Sequence, residues 1–152
     1  MISAGYGGGT ANMEYMSLTG LDLSNFSPTL PTPYTQLVTH RKYNPNIAQS
    51  FPEVVAIHPY QGVYYSRTEV YKRFGFDRFY YLGSKYKIKY KKKIDRSPYL
   101  SDETAYKNAL DQVKKANNGE FINLVTMQNH FPYDRNYYNN SDKYTPVGEG
   151  ID

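Results

Sequence analysis

Two short apolar runs, each followed by polar residues, set the strongest limit on how this chain can fold. The first covers residues 52–57 and ends at His58, and the second covers residues 121–127 and is followed by polar residues up to His130. Short β-branched runs without alternation are typical of parallel strands buried on both faces. Helical signals lie between the two runs, so the sequence predicts an α/β fold with a mainly parallel sheet flanked by helices.

Start and stop signals predict the helices of this fold. Thr10 stands where the N-cap of a first helix belongs, and Ser66 and Glu69 have the S-x-x-E spacing of a capping box. Leu110 and Val113 lie on one face of the last predicted helix. The predicted spans are residues 11–19, a short helix at 34–41, residues 67–74, and a helix that begins after Ser101 and ends at Asn118-Gly119.

The length and composition of the chain exclude several classes of protein. A chain of 152 residues suffices for one domain with a hydrophobic core and is too short for two domains of typical size. It has no run of eighteen apolar residues and no signal-peptide pattern at its start. Because it has no cysteine, disulfides, thiolate chemistry and cysteine-based metal sites are excluded.

The positive charge is confined to one block, residues 85–96, with the sequence KYKIKYKKKIDR. Seven basic residues and one acidic residue give this block a charge of +6, and the whole chain carries +4, so the rest of the chain carries −2. Such blocks are most often solvated faces or loops. The functional alternatives are contact with anionic lipid headgroups or a polyanion, and binding of single-stranded nucleic acid by stacking on Tyr86 and Tyr90. Nucleic acid ranks last, because the rest of the chain is acidic.

A glycine-rich turn, GYGGGT, precedes the first predicted helix. Glycines accept positive φ and let a ligand approach the backbone, and the N-terminus of a helix attracts anions. A P-loop is excluded, because no lysine follows the glycines. The hydroxyl of Thr10 is therefore either a helix cap or a nucleophile.

Four polar residues stand at the ends of predicted elements: Thr10, His58, Arg67 and His130. Arginine offers two donors to phosphate oxygens, and a neutral imidazole offers a further donor. Eighteen tyrosines and no tryptophan suit the walls of a wet cleft that holds sugars or polyols. Together these features favour a phosphate-bearing ligand, although each residue taken alone also fits an ordinary structural role.

Three motifs in this order and spacing resemble the lipoteichoic acid synthase and phosphoglycerol transferase group of the alkaline phosphatase and sulfatase superfamily. They are GGGTANMEYMSLTG, AIHPYQGVYYSRTEVYKRFGFDRFYYL and NLVTMQNHFPY. The resemblance runs from about Gly5 to Tyr133, and the lysine-rich block and the last segment of the sequence, residues 132–152, are least alike. It implies a partial alkaline phosphatase/sulfatase-like fold. Residues 132–152 are rich in Asn, Asp, Gly and Tyr and have no helical or strand periodicity, so we expect them to form a flexible tail.

The resemblance also implies a role for each candidate residue. Thr10 matches the family nucleophile, which attacks the phosphorus of phosphatidylglycerol, releases diacylglycerol and becomes a glycerophosphate ester. His58, Tyr65 and Arg67 match the residues that bind the headgroup. His130 matches the histidine that holds the phosphoglycerol from the other side.

A divalent metal, manganese or magnesium, belongs to the same implied site, with Thr10 as one of its ligands. The family has an acidic metal ligand upstream of this threonine and an Asp-His pair far downstream, and the chain contains neither. The resemblance therefore implies an internal fragment of a membrane-anchored enzyme at the extracellular face, or of a released extracellular domain. We expect such a fragment to bind metal poorly, to lack turnover by itself and to be able to form homodimers through exposed sheet edges.

The sequence leaves the exact function open. Tyr65 stands where the synthases often have tryptophan, which leaves the headgroup preference undecided. The expected partners are phosphatidylglycerol, a glycerophosphate polymer and a membrane surface, without nucleic acid. A related sulfatase or phosphoethanolamine transferase is an alternative, as is a non-catalytic module that binds an anionic cell-wall polymer or lipid surface through residues 85–96.

Overall fold

A three-stranded parallel sheet forms the centre of the computed structural model, which describes residues 9–132 and 134–139. The strands are β1 (Val54–His58), β2 (Arg78–Tyr81) and β3 (Phe121–Leu124), in the order β2-β1-β3. All five residues of the central strand are buried, as the apolar run predicts. The register pairs His58 with Tyr81 and Ile57 with Leu124, so the three strands end at one edge of the sheet, called here the carboxyl edge.

Helices cover both faces of this sheet, because period-2 alternation in the strands turns apolar side chains both ways. The α-helices of the described residues are α1 (Thr10–Thr19), α2 (Pro33–Gln36), α3 (Arg67–Phe74) and α4 (Asp102–Val113). Short 3-10 turns lie at Leu23–Asn25, Val38–His40, Ile47–Ser50, Tyr64–Ser66 and Arg135–Tyr137. This arrangement confirms the predicted α/β class with a parallel sheet flanked by helices.

Two apolar clusters hold the layers together. One joins the helices α1, α2 and α3 and is reached from the sheet by Phe121; its buried members are Ala11, Tyr15, Leu18, Tyr34, Val38, Val70 and Phe74. The other lies on the opposite sheet face, towards α4, and its buried members are Val55, Ile57, Ile88 and Leu100. Burying a side chain of this size contributes about 1.5–3 kcal/mol, so the two clusters dominate the stability of the fold.

Strand β2 is an element that the sequence patterns did not predict. Its residues Arg78 to Tyr81 include three aromatics and are only half-buried, so they lack the apolar run that marks the other two strands. They become a strand by pairing with β1. The ion pairs from Arg78 to Glu53 and Glu120 join the starts of all three strands at the other edge of the sheet.

The spans of α1 and α3 were predicted correctly to within one residue, but the predicted helix at 34–41 is the shorter α2 followed by the 3-10 turn at Val38–His40. Two predicted caps are also wrong. The N-cap of α1 is Gly9 rather than Thr10: its carbonyl accepts the Met13 N–H at 3.1 Å, and its φ is +78°. Ser66 has left-handed φ and ψ and no capping hydrogen bond, while Glu69 pairs with Arg73.

The N-cap of α4 is Ser101, as predicted, with its hydroxyl accepting the Thr104 N–H at 3.2 Å. The helix ends at Val113, before the Asn118-Gly119 stop signal. Leu110 and Val113 lie on its solvent face, each 55% exposed.

The basic block, residues 85–96, is an irregular segment, apart from an isolated antiparallel bridge between Lys93 and Leu100. It is joined to α4 and also to the start of the predicted tail, where Arg96 donates to the carbonyl of Asn136 at 2.8 Å. The rest of the predicted tail, beyond Asn139, lies outside the described residues. In the part of the chain that the structure describes, no helix is long and apolar enough to cross a membrane.

One glycine is fixed by close packing near the carboxyl edge, which gives a test of this part of the fold. A Cβ on Gly62 would lie 2.7 Å from the Tyr81 ring. We expect Gly62→Ala to lower the free energy of unfolding by about 1–3 kcal/mol, measured by denaturant unfolding. In a Tyr81→Ala background the same change should cost much less, and an equal cost in both backgrounds would contradict this packing.

Candidate active site

A cavity of about 320 Å³ opens at the carboxyl edge of the sheet. Its lining includes all five residues that the sequence singled out: Thr10, His58, Tyr65, Arg67 and His130. Three further tyrosines, Tyr60, Tyr64 and Tyr99, also line it, together with residues 125–127. Elements that lie far apart in the sequence thus bring the predicted residues to one place.

Thr10 enters the cavity as the first residue of α1. It is exposed, and among the described residues its hydroxyl makes no hydrogen bond. Because Gly9 is the N-cap of the helix, the Thr10 hydroxyl is not used as a cap. The positive end of the helix dipole lies beside it, which favours a negatively charged group at this position.

His58 is buried, with only 1% of its surface exposed, at the last position of β1. Its Nδ1 lies 3.0 Å from the Val125 carbonyl oxygen. A carbonyl can only accept, so we assign the imidazole proton to Nδ1, which leaves Nε2 as an acceptor. Burial lowers the pKa of His58 to about 4, and the positive charge of Arg67 adds to this shift. The expectation that a neutral His58 donates to phosphate is therefore wrong for this tautomer.

Arg67 is also buried, at 2% exposure, and is held by a carboxylate on α1. Its Nε and Nη2 donate to Oε1 of Glu14 at 3.1 and 2.5 Å. Burial alone would lower the pKa of Arg67, but the Glu14 carboxylate raises it above its ordinary value. The remaining nitrogen, Nη1, has no protein partner among the described residues, so one edge of the guanidinium is left for a ligand.

Two phenols complete the hydrogen bonding of Glu14. Tyr34 and Tyr71 donate their hydroxyls to Glu14 Oε2 at 3.0 and 2.6 Å. Burial and the neighbouring Glu14 carboxylate raise the pKa of Tyr71, so it remains a neutral donor. Asn123, on β3, donates to the Tyr71 oxygen at 3.1 Å. The sequence analysis missed Glu14, although an acidic residue among the buried positions of an apolar helix face is a signal for a buried charge pair.

Tyr65 reaches the cavity through strained backbone. Tyr65 and Ser66 have φ values of +53° and +51°, a conformation that costs roughly 1–2 kcal/mol per residue when there is a Cβ. The Tyr65 ring lies 5.1 Å from the Arg67 Cζ, a cation–π arrangement. This turn therefore presents an aromatic face and a guanidinium edge together.

His130 lies across the cavity, on the segment after β3, and is exposed. Its ring packs edge-on against Tyr99 at 5.7 Å between centroids, and Tyr99 donates to the Phe131 carbonyl at 2.9 Å. Tyr60 stacks on Tyr64 and contacts Tyr99 edge-on, each at 5.7 Å. The structure therefore places tyrosines in the cavity wall, where each offers an apolar face and a polar tip.

The described residues do not supply a complete metal site. Among residues 9–132 and 134–139 there is no group of three or more His, Cys, Asp or Glu side chains that could hold an ion. Thr10 offers one hydroxyl ligand to the cavity. What these residues do offer is a free hydroxyl, a helix N-terminus, a guanidinium edge and an imidazole acceptor, a set that fits an anion carrying hydroxyl groups.

Comparison with known proteins identifies relatives of the whole chain. The family described as Sulfatase matches residues 1–151. A protein of Rhizobium meliloti (strain 1021), described as "Putative cyclic beta-1,2-glucan modification protein", is 37% identical over 142 residues. That match covers 91% of this chain and 21% of the relative.

Two solved structures share the fold. The first is the Streptococcus pyogenes phosphoglycerol transferase GacH in complex with sn-glycerol-1-phosphate, with a TM-score of 0.76 and 34% identity over 90% of this chain. The second is the lipoteichoic acid synthase LtaP from Listeria monocytogenes, with a TM-score of 0.61 and 24% identity over 82% of this chain. The chain spans 36% and 30% of these two structures.

The buried pair gives a prediction for stability. Glu14→Ala would leave the Arg67 guanidinium and two phenols unpaired in the interior, so we expect unfolding free energy to fall by about 3–5 kcal/mol. Glu69→Ala, which removes the exposed partner of Arg73, is the matched control and should cost about 1 kcal/mol or less. Chemical denaturation measures the unfolding free energy of both variants. A loss in Glu14→Ala as small as the loss in Glu69→Ala would contradict the role of Glu14.

The low pKa of His58 gives a prediction for pH dependence. An unfolded histidine titrates near about 6.5, so the unfolded chain binds this proton at a higher pH than the folded chain does. Stability should therefore decrease as pH falls from about 6.5 towards 4, by roughly 2–3 kcal/mol from this group.

In NMR titrations the His58 imidazole should have its midpoint near 4. His58→Asn should reduce the loss of stability in this pH range, whereas His40→Asn, at an exposed histidine, should leave it unchanged. A His58 midpoint at or above about 6.5 would contradict the assigned tautomer and burial.

Proposed function

The chain belongs to the sulfatase family, and from this premise we propose that it forms part of the catalytic domain of a phosphoglycerol transferase. The observation that carries the proposal is the single cavity that joins Thr10, Tyr65, His130 and the two buried residues, His58 and Arg67. The similarity to GacH, whose structure contains sn-glycerol-1-phosphate, supports the same class of ligand.

In this proposal Thr10 is the nucleophile and phosphatidylglycerol is the donor. The bond from Thr10 Oγ1 to phosphorus forms as the bond between phosphorus and the diacylglycerol oxygen breaks. The threonine proton leaves, and the diacylglycerol oxygen takes up a proton. The product is a glycerophosphate ester on Thr10, which a later acceptor hydroxyl removes.

The cavity residues would position this substrate. The free edge of Arg67 and the N-terminus of α1 would bind the charged phosphate oxygens. His58 Nε2 would accept a hydrogen bond from a glycerol hydroxyl, because its lone pair faces a donor better than an anion. His130 would contact the phosphoglycerol from the opposite side, and Tyr65 would pack against the glycerol.

The remaining parts of the proposal come from the family. Members of the alkaline phosphatase and sulfatase superfamily use divalent metals. We assign a manganese or magnesium ion to this site, held in part by Thr10, with its other ligands outside the described residues. A phosphoglycerol transferase of this kind would act at the extracellular face of the cell membrane, with a glycerophosphate polymer as acceptor.

The test is the release of diacylglycerol from labelled phosphatidylglycerol by the natural full-length protein, with manganese added. Thr10→Ala should reduce the rate by at least about a thousandfold, because it removes the nucleophile. Thr19→Ala, at the other end of α1, is the matched control and should keep the rate within a few-fold. Mass spectrometry of the wild-type protein should find a glycerophosphate adduct on the peptide that contains Thr10. Retained activity in Thr10→Ala would refute the proposal.

A further inference from the structure

The lysines of the basic block form a line on the protein surface. This lysine ridge consists of Lys85, Lys87, Lys89, Lys91, Lys92 and Lys93, all exposed. Between its first members Tyr86 is half-buried and Ile88 is buried, so burial alternates as it does in an extended segment. Alternate residues of an extended segment lie about 6–7 Å apart on one side. Lys85, Lys87 and Lys89 therefore lie on one side at regular spacing, and the consecutive exposed Lys91, Lys92 and Lys93 extend the positive charge beyond them.

Hydrogen bonds fix this ridge along helix α4. The side-chain oxygen of Asn108 accepts the N–H groups of Lys89 and Tyr90 at 2.9 and 3.1 Å, and its amide donates to the Tyr90 carbonyl at 3.0 Å. The Lys92 carbonyl accepts from the Thr104 hydroxyl and the Ser101 N–H, each at 3.0 Å. The backbone of the ridge is thus held in place before any ligand binds, which reduces the entropy cost of binding.

Most of the charge on the ridge is not neutralised by the protein. Lys89 pairs with Asp111 at 3.1 Å, and Asp111 is shared with Lys115. The other five lysines have no ion-pair partner in the part of the chain that the structure describes. Like charges at this spacing repel one another, and a bound anion would relieve the repulsion.

The ridge leads to the rim of the candidate active site. Its last member, Lys93, forms a β-bridge with Leu100. Tyr99, the residue directly before Leu100, lines the cavity. The start of α4 lies at the same edge, where the Asp102 N–H donates to the Gln128 side chain at 2.8 Å. A chain bound along the ridge would therefore reach the cavity from one side.

We infer that the lysine ridge binds a linear polyanion with regularly spaced phosphate groups and brings its end to the cavity. The second part rests on the proposed function, in which an acceptor hydroxyl must reach the ester on Thr10. A polymer fits better than a bilayer, because the ridge turns lysines outward and its apolar residue Ile88 inward. A nucleic acid fits less well, because lysines lie over both rings that could stack on bases. Lys85 lies over Tyr86, which also packs against Tyr80 at 5.4 Å, and Lys89 lies over Tyr90 at 5.0 Å.

Binding of poly(glycerol phosphate) to the natural full-length protein tests this inference. The variant Lys87→Gln/Lys91→Gln should bind the polymer at least about tenfold more weakly at low salt, and the slope of log affinity against log salt should decrease by about 1.4. The matched control, Lys42→Gln/Lys72→Gln, loses two exposed lysines in another layer and should bind as the wild type does. Binding of sn-glycerol-1-phosphate should be the same in all three proteins.

Each alternative outcome is distinct. Equal losses in both variants, or no loss in either, would overturn the ridge as a specific site. The protein could instead bind phosphatidylglycerol vesicles or single-stranded DNA more tightly than the polymer. If the ridge variant loses that tighter binding, the ligand of the ridge is the vesicle or the DNA, and the inference of a polymer is wrong. If the lysine ridge binds the polymer but the activity does not depend on Thr10, the polymer-binding role of the ridge is supported and the proposed function is refuted.

Discussion

The buried ion pair between Glu14 and Arg67 is the interaction on which the rest of the site depends. It joins α1, which carries Thr10, to α3, and the phenols of Tyr34 and Tyr71 connect the same carboxylate to α2 and α3. Taking two charges out of water costs several kcal/mol for each ion, and only good geometry with further hydrogen bonds offsets this cost. Glu14 receives four such bonds, so its position is fixed by donors on two other helices, α2 and α3. The pair thereby ties the helix that carries Thr10 to the helix that carries the free edge of Arg67, and the proposed reaction of the Thr10 hydroxyl with a bound phosphate would need such fixed positions.

The two edges of the sheet use charged residues differently. At the edge where the strands begin, Arg78 lies between Glu53 and Glu120 and forms an ion pair with each of these carboxylates. The two ion pairs show that both carboxylates share this one arginine, and burial, with the neighbouring Glu53, raises the pKa of Glu120. At the carboxyl edge Arg67 has one partner and keeps one edge free. The arrangement around Arg78 fixes the starts of the strands, whereas the arrangement around Arg67 leaves one edge of its guanidinium available for a ligand in the cavity.

The features that the sequence could predict are those decided by residues close together in the chain. The apolar run ending at His58 and the glycines after α1 and α3 act within a few residues, so β1 and those helix ends were predicted correctly. Strand β2 depends on pairing with β1, and its aromatic residues carry no run that would mark it. Glu14 and Arg67 are 53 residues apart, and His58 and the Val125 carbonyl are 67 apart. The partner of the arginine and the tautomer of the histidine are therefore properties of the fold, which no local pattern contains.

The tautomer of His58 also limits which anions suit the cavity. With its proton committed to the Val125 carbonyl and its pKa near 4, His58 is neutral at physiological pH and presents a lone pair at Nε2. A lone pair repels the oxygens of a fully ionised phosphate or sulfate but accepts a hydrogen bond from a hydroxyl. An anion without hydroxyl groups would satisfy Arg67 and leave His58 without a partner, at a cost of about 1–3 kcal/mol for a buried polar group. A phosphate ester of a polyol satisfies both, which supports the glycerophosphate headgroup of the proposed function over a simple sulfate.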